Sequence, residues 1–536
     1  MTDSFMDFDW LIVGSGFGGS VSALRLAEKG YRVGVIERGR RYGDKDLPKS
    51  AWQFSKHLWA PGLGLKGIMS NMLFRHVLTN GQNGVGGGSL VYGGVLFRAR
   101  PEFFQDAQWA GLGDWSVRLQ PHYKEAERML GANTSPYGSF NQKLSQEMAE
   151  HFGDKESYSL APVAVFFGES GKTVKDPYFG GEGPDRTGCT RCGECLIGCR
   201  TGAANSLTKN YLWFAEKKGV QVLPERQVVD VTPISAKDGS DGYLVTTERP
   251  GAWFNRDRQV HTARGVVFAG GAVGTNTLLA NCKHRGSLPR ISDRLGDLVR
   301  TNSETVVGAR MPESNQSWKD VTVSSRLTID GDTQVEILTY GPNADFYSLF
   351  FTQLVGDGNR LTRPFKWVGN MVKHPVNALK LLWPFGWSRD TLLMLVMQAR
   401  DNSIRLRAKK RLFGRGFRMV TEEALEKPAP VFVEAGHRAA QWLAQRTGGI
   451  PLSSVAEVVN IPTTVHIFGG AFIGKDASSG VVDENLHVFG YQNLLVCDAA
   501  AMPANPGVNP ALTITAIAEY GMAQIPASIR GAISTV

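Results

Sequence analysis

Four of the six cysteines, Cys189, Cys192, Cys195 and Cys199, fall within one short run, GCTRCGECLIGCR at 188–200. The spacing C-x2-C-x2-C-x3-C is the one bacterial ferredoxins use to hold an iron–sulfur cluster, with Arg200 in place of the usual following proline. In two-cluster ferredoxins the fourth cysteine ligates the other cluster, so [4Fe–4S] and [3Fe–4S] are both open. Zinc, which more often takes two cysteine pairs set apart by a longer spacer, and disulfides, which belong to oxidising compartments, are the weaker alternatives. A cluster passes electrons singly, so these residues imply redox chemistry with a carrier protein or a quinone as electron acceptor.

A second group could hold the partner in such chemistry. Gly14-Ser15-Gly16-Phe17-Gly18-Gly19 follows the apolar run FDWLIV at 8–13 and precedes SVSALRLAEK at 20–29, where Val21, Leu24 and Ala27 recur at roughly helical spacing. Gly30 closes that helix, RVGVI at 32–36 reads as a second strand, and Glu37 stands at its end. The pattern predicts a dinucleotide site. Gly14 permits the turn, Gly16 lets pyrophosphate approach the helix N-terminus, Gly19 allows close packing, and Glu37 accepts the ribose hydroxyls.

Two later segments favour FAD over NAD. GVGGGSLVYGG at 84–94, with Gly86, Gly88, Ser89 and Gly93, suits backbone laid against a flat ring and a phosphate. RGVVFAGGAVGTNTLL at 264–279 reads as a buried strand, a turn at Gly270 and a helix start. Near the C-terminus, NLLV at 493–496 reads as one more buried strand, with Cys497 and Asp498 at its end. In GVNPALTITA at 507–516, Asn509 is a good helix cap and Pro510 a good first helical residue, with Ala511 next. The positive end of that helix could face negative charge on a reduced flavin.

The first glycine unit, GVGGGS, VVFAGGAVGT, the late histidine in TVHIFGG at 464–470 and GVNPALTITA stand in the order found in glucose-methanol-choline (GMC) oxidoreductases, which the chain resembles over nearly its whole length. The last two motifs are most similar to the cholesterol-oxidase-like branch. The resemblance implies an FAD enzyme with His466 and Asn509 above the flavin, and adds Val228 and Asp498 to the cofactor-binding residues. Histidine is in any case the natural acceptor of a hydroxyl proton near neutral pH. Glu336, an acid inside the apolar strand QVEIL at 334–338, looks like the carboxylate that shifts a double bond in sterol oxidases, although a strand glutamate is commonly a solvated face residue. Most members of the family carry no cysteine cluster, so that segment is a departure.

The leading expectation is therefore oxidation of the hydroxyl of a bulky apolar alcohol, a 3β-hydroxysteroid in particular, with a terpenoid, aromatic or long-chain alcohol as the alternative. An electron-transfer flavoprotein without alcohol chemistry and a peripheral lipid-binding protein without turnover are the readings from other classes.

The expected architecture is α/β: a Rossmann-like FAD-binding domain (1–46, 76–100, 206–305 and 456–536), a lid-like segment (47–75), an insertion carrying the cysteines (101–205), and a discontinuous α+β substrate domain on an antiparallel sheet (306–455). VTVSSRLTIDGDTQVEILTY at 321–340 predicts strands about an Asp330-Gly331 turn. Lys56–Arg75 and Arg363–Leu395 mix apolar, tryptophan and basic residues. A core helix with basic flanks is the first reading, and a peripheral amphipathic surface that admits a lipid-like substrate the second. Arg405–Arg418 reads as a solvated strand pair.

The 536 residues, 42% hydrophobic and 20% charged, suit a globular protein of two or three domains, and the 62 glycines suit nucleotide-binding turns. The net charge of +9 comes without a zinc-finger spacing, aromatic RNA-binding signature or basic arm, which argues against nucleic acid. MTDSFMDFDWLIVG at the start lacks a leader's features, and no apolar run approaches the roughly 18 residues that span a bilayer. A cytoplasmic protein with at most peripheral membrane contact is expected.

Overall fold

The computed structural model describes residues 6–410, 417–424 and 427–528. Residues 1–5, at the head of the stretch read for a leader, and 411–416, inside the basic run, lie outside the described residues.

The apolar run at the N-terminus becomes the strand Phe8–Val13, buried along almost its whole length as a central parallel strand must be. It pairs in parallel with Val33–Ile36 on one side and Gln259–Phe268 on the other, and Gln221–Leu223 extends the sheet beyond Val33–Ile36. The long strand Gln259–Phe268 has two partners on its far side. Its last residues pair in parallel with Leu494–Val496, and its first residues pair antiparallel with Tyr243–Glu248, which carries Gln227–Pro233. The result is a seven-stranded sheet, a parallel nucleotide-binding core with an antiparallel flange. The helix Phe17–Glu28 starts three residues earlier than the helical spacing predicts and packs beside Tyr211–Lys217 and Ala511–Ala523.

A second seven-stranded sheet is antiparallel throughout, in the order Phe351–Gln353, Ile450–Ser454, Thr305–Arg310, Thr391–Gln398, Thr333–Thr339, Ser325–Ile329 and Ser159–Leu160. The expected hairpin is present, with left-handed backbone at Asp330 (φ 56°) and Gly331 (φ 73°). Thr391–Gln398 is buried at every residue because both faces are covered. Leu392, Met394 and Val396 pack with the helices Phe140–His151 and Glu434–Thr447, while Leu393, Leu395 and Met397 join a core that includes Cys189 and Val508. In Thr333–Thr339 the same alternation sends Val335 and Ile337 to the helix side and Glu336 to the other, so Glu336 is a fully buried acid rather than a solvated one.

The stretch read first as a core helix is instead a surface feature. The helices Thr362–Lys373 and Pro375–Leu382 expose Phe365, Val372, Leu379 and Leu382, with Trp383 and Phe385 following. Strands Ile404–Lys410 and Phe417–Glu423 form the expected pair. No helix of the described residues is long and apolar enough to cross a membrane.

Candidate active site

At the phosphate end, the helix Phe17–Glu28 begins at Gly16 without a side-chain cap. A Cβ at Gly16 would meet nothing within 4 Å, so its face is open to a ligand. A Cβ at Gly18 would stand 1.6 Å from the Cys497 carbonyl oxygen, which makes Gly18 a packing glycine that the motif reading overlooked. Gly19 packs in the same manner against the Gly14 carbonyl, and Gly14 has the left-handed backbone (φ 103°) its turn requires.

Glu37 joins this turn to the second glycine loop. Its carboxylate accepts the Ser15 N–H (3.1 Å), the Ser15 hydroxyl (2.7 Å), the Gly39 N–H (2.8 Å) and the Gly84 N–H (3.3 Å). Gly86 donates to the Ser15 Oγ, and Ser89 donates to the Gly86 carbonyl while accepting the Leu207 N–H, so the loop carrying Gly88 and Gly93 is fixed from both sides. Val228 lies in the neighbouring flange strand, two residues beyond Arg226, whose N–H donates to the Glu37 carbonyl. Asp498 accepts from Gly271 N–H (2.8 Å), Thr275 Oγ1 (2.6 Å) and Ala500 N–H (2.8 Å), and burial pushes its carboxyl up to about 6. It thereby anchors the helix Gly271–Arg285, whose cap is Gly270.

At the reactive end, His466 Nδ1 lies 3.0 Å from Glu304 Oε2, a carboxylate with no solvent exposure. Glu304 also accepts the Thr464 hydroxyl (2.9 Å) and the Val465 N–H (3.3 Å), so one acid grips the segment on three atoms. A carboxylate beside Nδ1 favours the tautomer with the ring proton there, the one in which Nε2 is free to act as a base. Asn302 donates to the Val508 carbonyl (3.1 Å) and lies 3.4 Å from the same Nδ1.

Asn509 was expected to cap the last helix. The helix starts one residue later, at Ala511, with Pro510 as its cap, because the Asn509 amide donates instead to Glu336 Oε2 (3.1 Å). Gln334 Nε2 donates to the other Glu336 oxygen (2.6 Å). Burial pushes the Glu336 carboxyl up to about 7, opposed by the Asn509 hydrogen bond and the nearby His466. The structure therefore brings His466, Asn509 and Glu336 together from three distant segments and adds Glu304 and Asn302. Only the Asn302-Ser303 pair ahead of the strand TVVGAR could have marked that turn in the sequence.

Asn509 Oδ1, Asn302 Oδ1 and the Tyr92 hydroxyl are buried without a partner among the described residues. The unpaired Asn302 and Asn509 oxygens beside His466 and Glu336, and an open glycine face at the helix N-terminus, fit FAD, whose heteroatoms and pyrophosphate would satisfy them. Cys189, Cys192, Cys195 and Cys199 line a single cavity and form no disulfide.

Comparison with known proteins agrees with this arrangement. GMC oxidoreductase models match residues 183–297 and 415–518, and an NAD(P)-binding Rossmann-like domain matches residues 12–44. The chain is 41% identical to a cholesterol oxidase of Acinetobacter baumannii over 534 residues, covering 98% of this chain and 96% of that one. It is 42% identical to a cholesterol oxidase of Mycobacterium tuberculosis, covering 96% and 90%. The fold is shared with a pyridoxine 4-oxidase from Mesorbium loti at a TM-score of 0.59 and 16% identity, covering 96% of this chain and 98% of that one. With its nucleotide sheet, its antiparallel partner sheet and these relatives, the chain belongs to the GMC oxidoreductase family, as an FAD-dependent alcohol oxidoreductase.

Proposed function

We propose that the protein oxidises the hydroxyl of a bulky apolar alcohol, with a 3β-hydroxysteroid as substrate. The observation that carries the reading is the buried Glu304–His466 pair beside Asn509 and Glu336. Bound FAD supplies the acceptor, at N5, for the hydride that leaves the carbinol carbon. His466 Nε2 takes the hydroxyl proton, Glu304 holds Nδ1 so that Nε2 stays the base, and the open Asn509 Oδ1 orients the reacting groups. Gly14, Gly16, Gly19, Glu37, the loop carrying Gly86, Gly88, Ser89 and Gly93, Val228, Gly270, Asp498, Asn509, Pro510 and Ala511 form the cofactor cradle. Glu336, near neutrality in its proton affinity, serves as the base that moves a double bond after oxidation.

An apolar substrate of this kind comes from lipid, and the exposed helices support delivery from a membrane surface. Between Asp357 and Asp390 the sequence has no acid, while Lys366, Lys373 and Lys380 are exposed among the apolar residues. Arg363 anchors this hairpin to Glu457 (2.9 Å), which accepts the hydroxyl of Thr305, the residue after Glu304. Anaerobic incubation with a panel of sterols, terpenoid, aromatic and long-chain alcohols tests the substrate. Bleaching of the flavin and a 3-ketosteroid product are expected with the sterols, and reduction only by non-steroidal alcohols would overturn the steroid assignment.

A further inference from the structure

We infer that Cys189, Cys192, Cys195 and Cys199 together hold one [4Fe–4S] cluster beside the glycine loop that faces the flavin. The use of the cluster rests on the redox reading of the site above, whereas its existence rests on the cysteine cavity alone.

All four sulfurs border the same cavity, and none is tied up in a disulfide. Each meets a backbone N–H. Arg191 and Ala204 donate to Cys189 and Cys199 at 3.4 Å, and the amides of Glu194 and Thr322 are directed at Cys192 and Cys195. A neutral buried thiol gains little from such donors, while thiolate ligands of a cluster are stabilised and tuned by them. Left-handed backbone at Arg191 (φ 59°) and Gly193 (φ 70°) wraps the loop around the cavity, and at Gly193 a Cβ would stand 2.5 Å from the Trp318 carbonyl oxygen.

The same geometry decides between metals. Tetrahedral zinc with ~2.3 Å bonds needs its four sulfurs within about 3.8 Å of one another. Among the described residues no three His, Cys, Asp or Glu side chains gather closely enough to hold a single ion. Four thiols that border one cavity, at the ferredoxin spacing, provide the four ligands one cluster needs. In two-cluster ferredoxins the fourth cysteine serves elsewhere, whereas here Cys199 lines the same cavity as the other three, which favours four irons over three.

The cysteine segment adjoins the second glycine loop. A Cβ at Gly93 would lie 3.8 Å from Leu196 Cδ2, and the Tyr92 phenol, edge-on to Phe17 at 5.3 Å, is within electrostatic reach of Cys195. Thr190, which lines the cavity, is exposed. A cluster held by these cysteines would supply one-electron transfer, so the two electrons released by oxidation of one alcohol would leave singly for a redox carrier protein.

The test is iron and acid-labile sulfide analysis with EPR on the flavin-loaded protein, reconstituted anaerobically with ferrous iron and sulfide, beside Cys192→Ser. About four irons and four sulfides per chain are expected, silent in EPR when oxidised and giving a signal on reduction, with iron lost in Cys192→Ser. Stoichiometric zinc, iron below about one per chain, or a three-iron signal in the oxidised protein would overturn the assignment. Flavin bleaching by sterol, recorded on the same sample, separates this failure from failure of the alcohol chemistry. A cluster without bleaching sinks only the latter, and bleaching without a cluster sinks only the former.

Discussion

At the residue scale the account rests on a histidine whose useful nitrogen is chosen by its neighbour. Replacing His466 by Gln should lower the rate of alcohol oxidation by roughly 10²–10⁴-fold with flavin content unchanged, measured by steady-state kinetics and absorbance. Glu304→Gln keeps the shape of the pair but can donate to Nδ1, which drives the ring proton to Nε2 and removes the base. A fall in kcat of about 10²–10⁴-fold with little change in KM is expected, as where a buried carboxylate orients another histidine.

Glu336 carries a pH dependence of definite sign. Its carboxyl is raised by burial to about 7, so the folded protein binds this proton more tightly than the unfolded chain does. Stability from this group is present at low pH and is lost as pH rises from the ordinary carboxyl range through about 7. Glu336→Gln should therefore stabilise the protein more at pH ~8 than at pH ~5, by a difference on the order of 3 kcal/mol at most, read as a larger rise in melting temperature at the higher pH. Double-bond migration should rise with pH through the same interval in the wild type and vanish in the variant, while hydroxyl oxidation persists.

At the element scale, the parts visible in the sequence are those governed by local rules. The first strand, turn and helix follow from apolar runs and glycines within one unit, and the Asp330-Gly331 turn follows from residues that tolerate left-handed backbone. Glu304 was not legible, because it enters through a turn in which Asn302 (φ 59°) and Ser303 (φ 44°) are both left-handed and which Thr464 and Val508, far along the chain, hold in place. Such strain is tolerated where the surroundings over-determine it. The capping role read for Asn509 failed for a similar reason: its competing partner, Glu336, is 173 positions away. Gly18 shows how a motif can hide a packing constraint. Gly18→Ala should push the first helix off the sheet against Cys497, costing about 3 kcal/mol or more and emptying the flavin site, as read by thermal unfolding and flavin content.

At the scale of the whole molecule, a sheet with a parallel core and a wholly antiparallel sheet supply the site between them, Glu336 from the antiparallel sheet and Asn509 from the segment before the last helix. The amphipathic hairpin is tied to the site through Arg363, Glu457 and Thr305. Each lysine near an anionic surface contributes about 1 kcal/mol, so reversing Lys373 and Lys380 to Glu should weaken binding to anionic vesicles at least tenfold in a sedimentation assay. Turnover of a detergent-dispersed alcohol should be unaffected.

The central claim, that His466 accepts the proton as hydride leaves for the flavin, is tested most directly by stopped-flow reduction of the flavin under anaerobic conditions. With saturating sterol, the account predicts rapid single-turnover bleaching in the wild type and a rate at least ~10²-fold lower in His466→Gln at equal flavin content. Equal rates in the two proteins would contradict it.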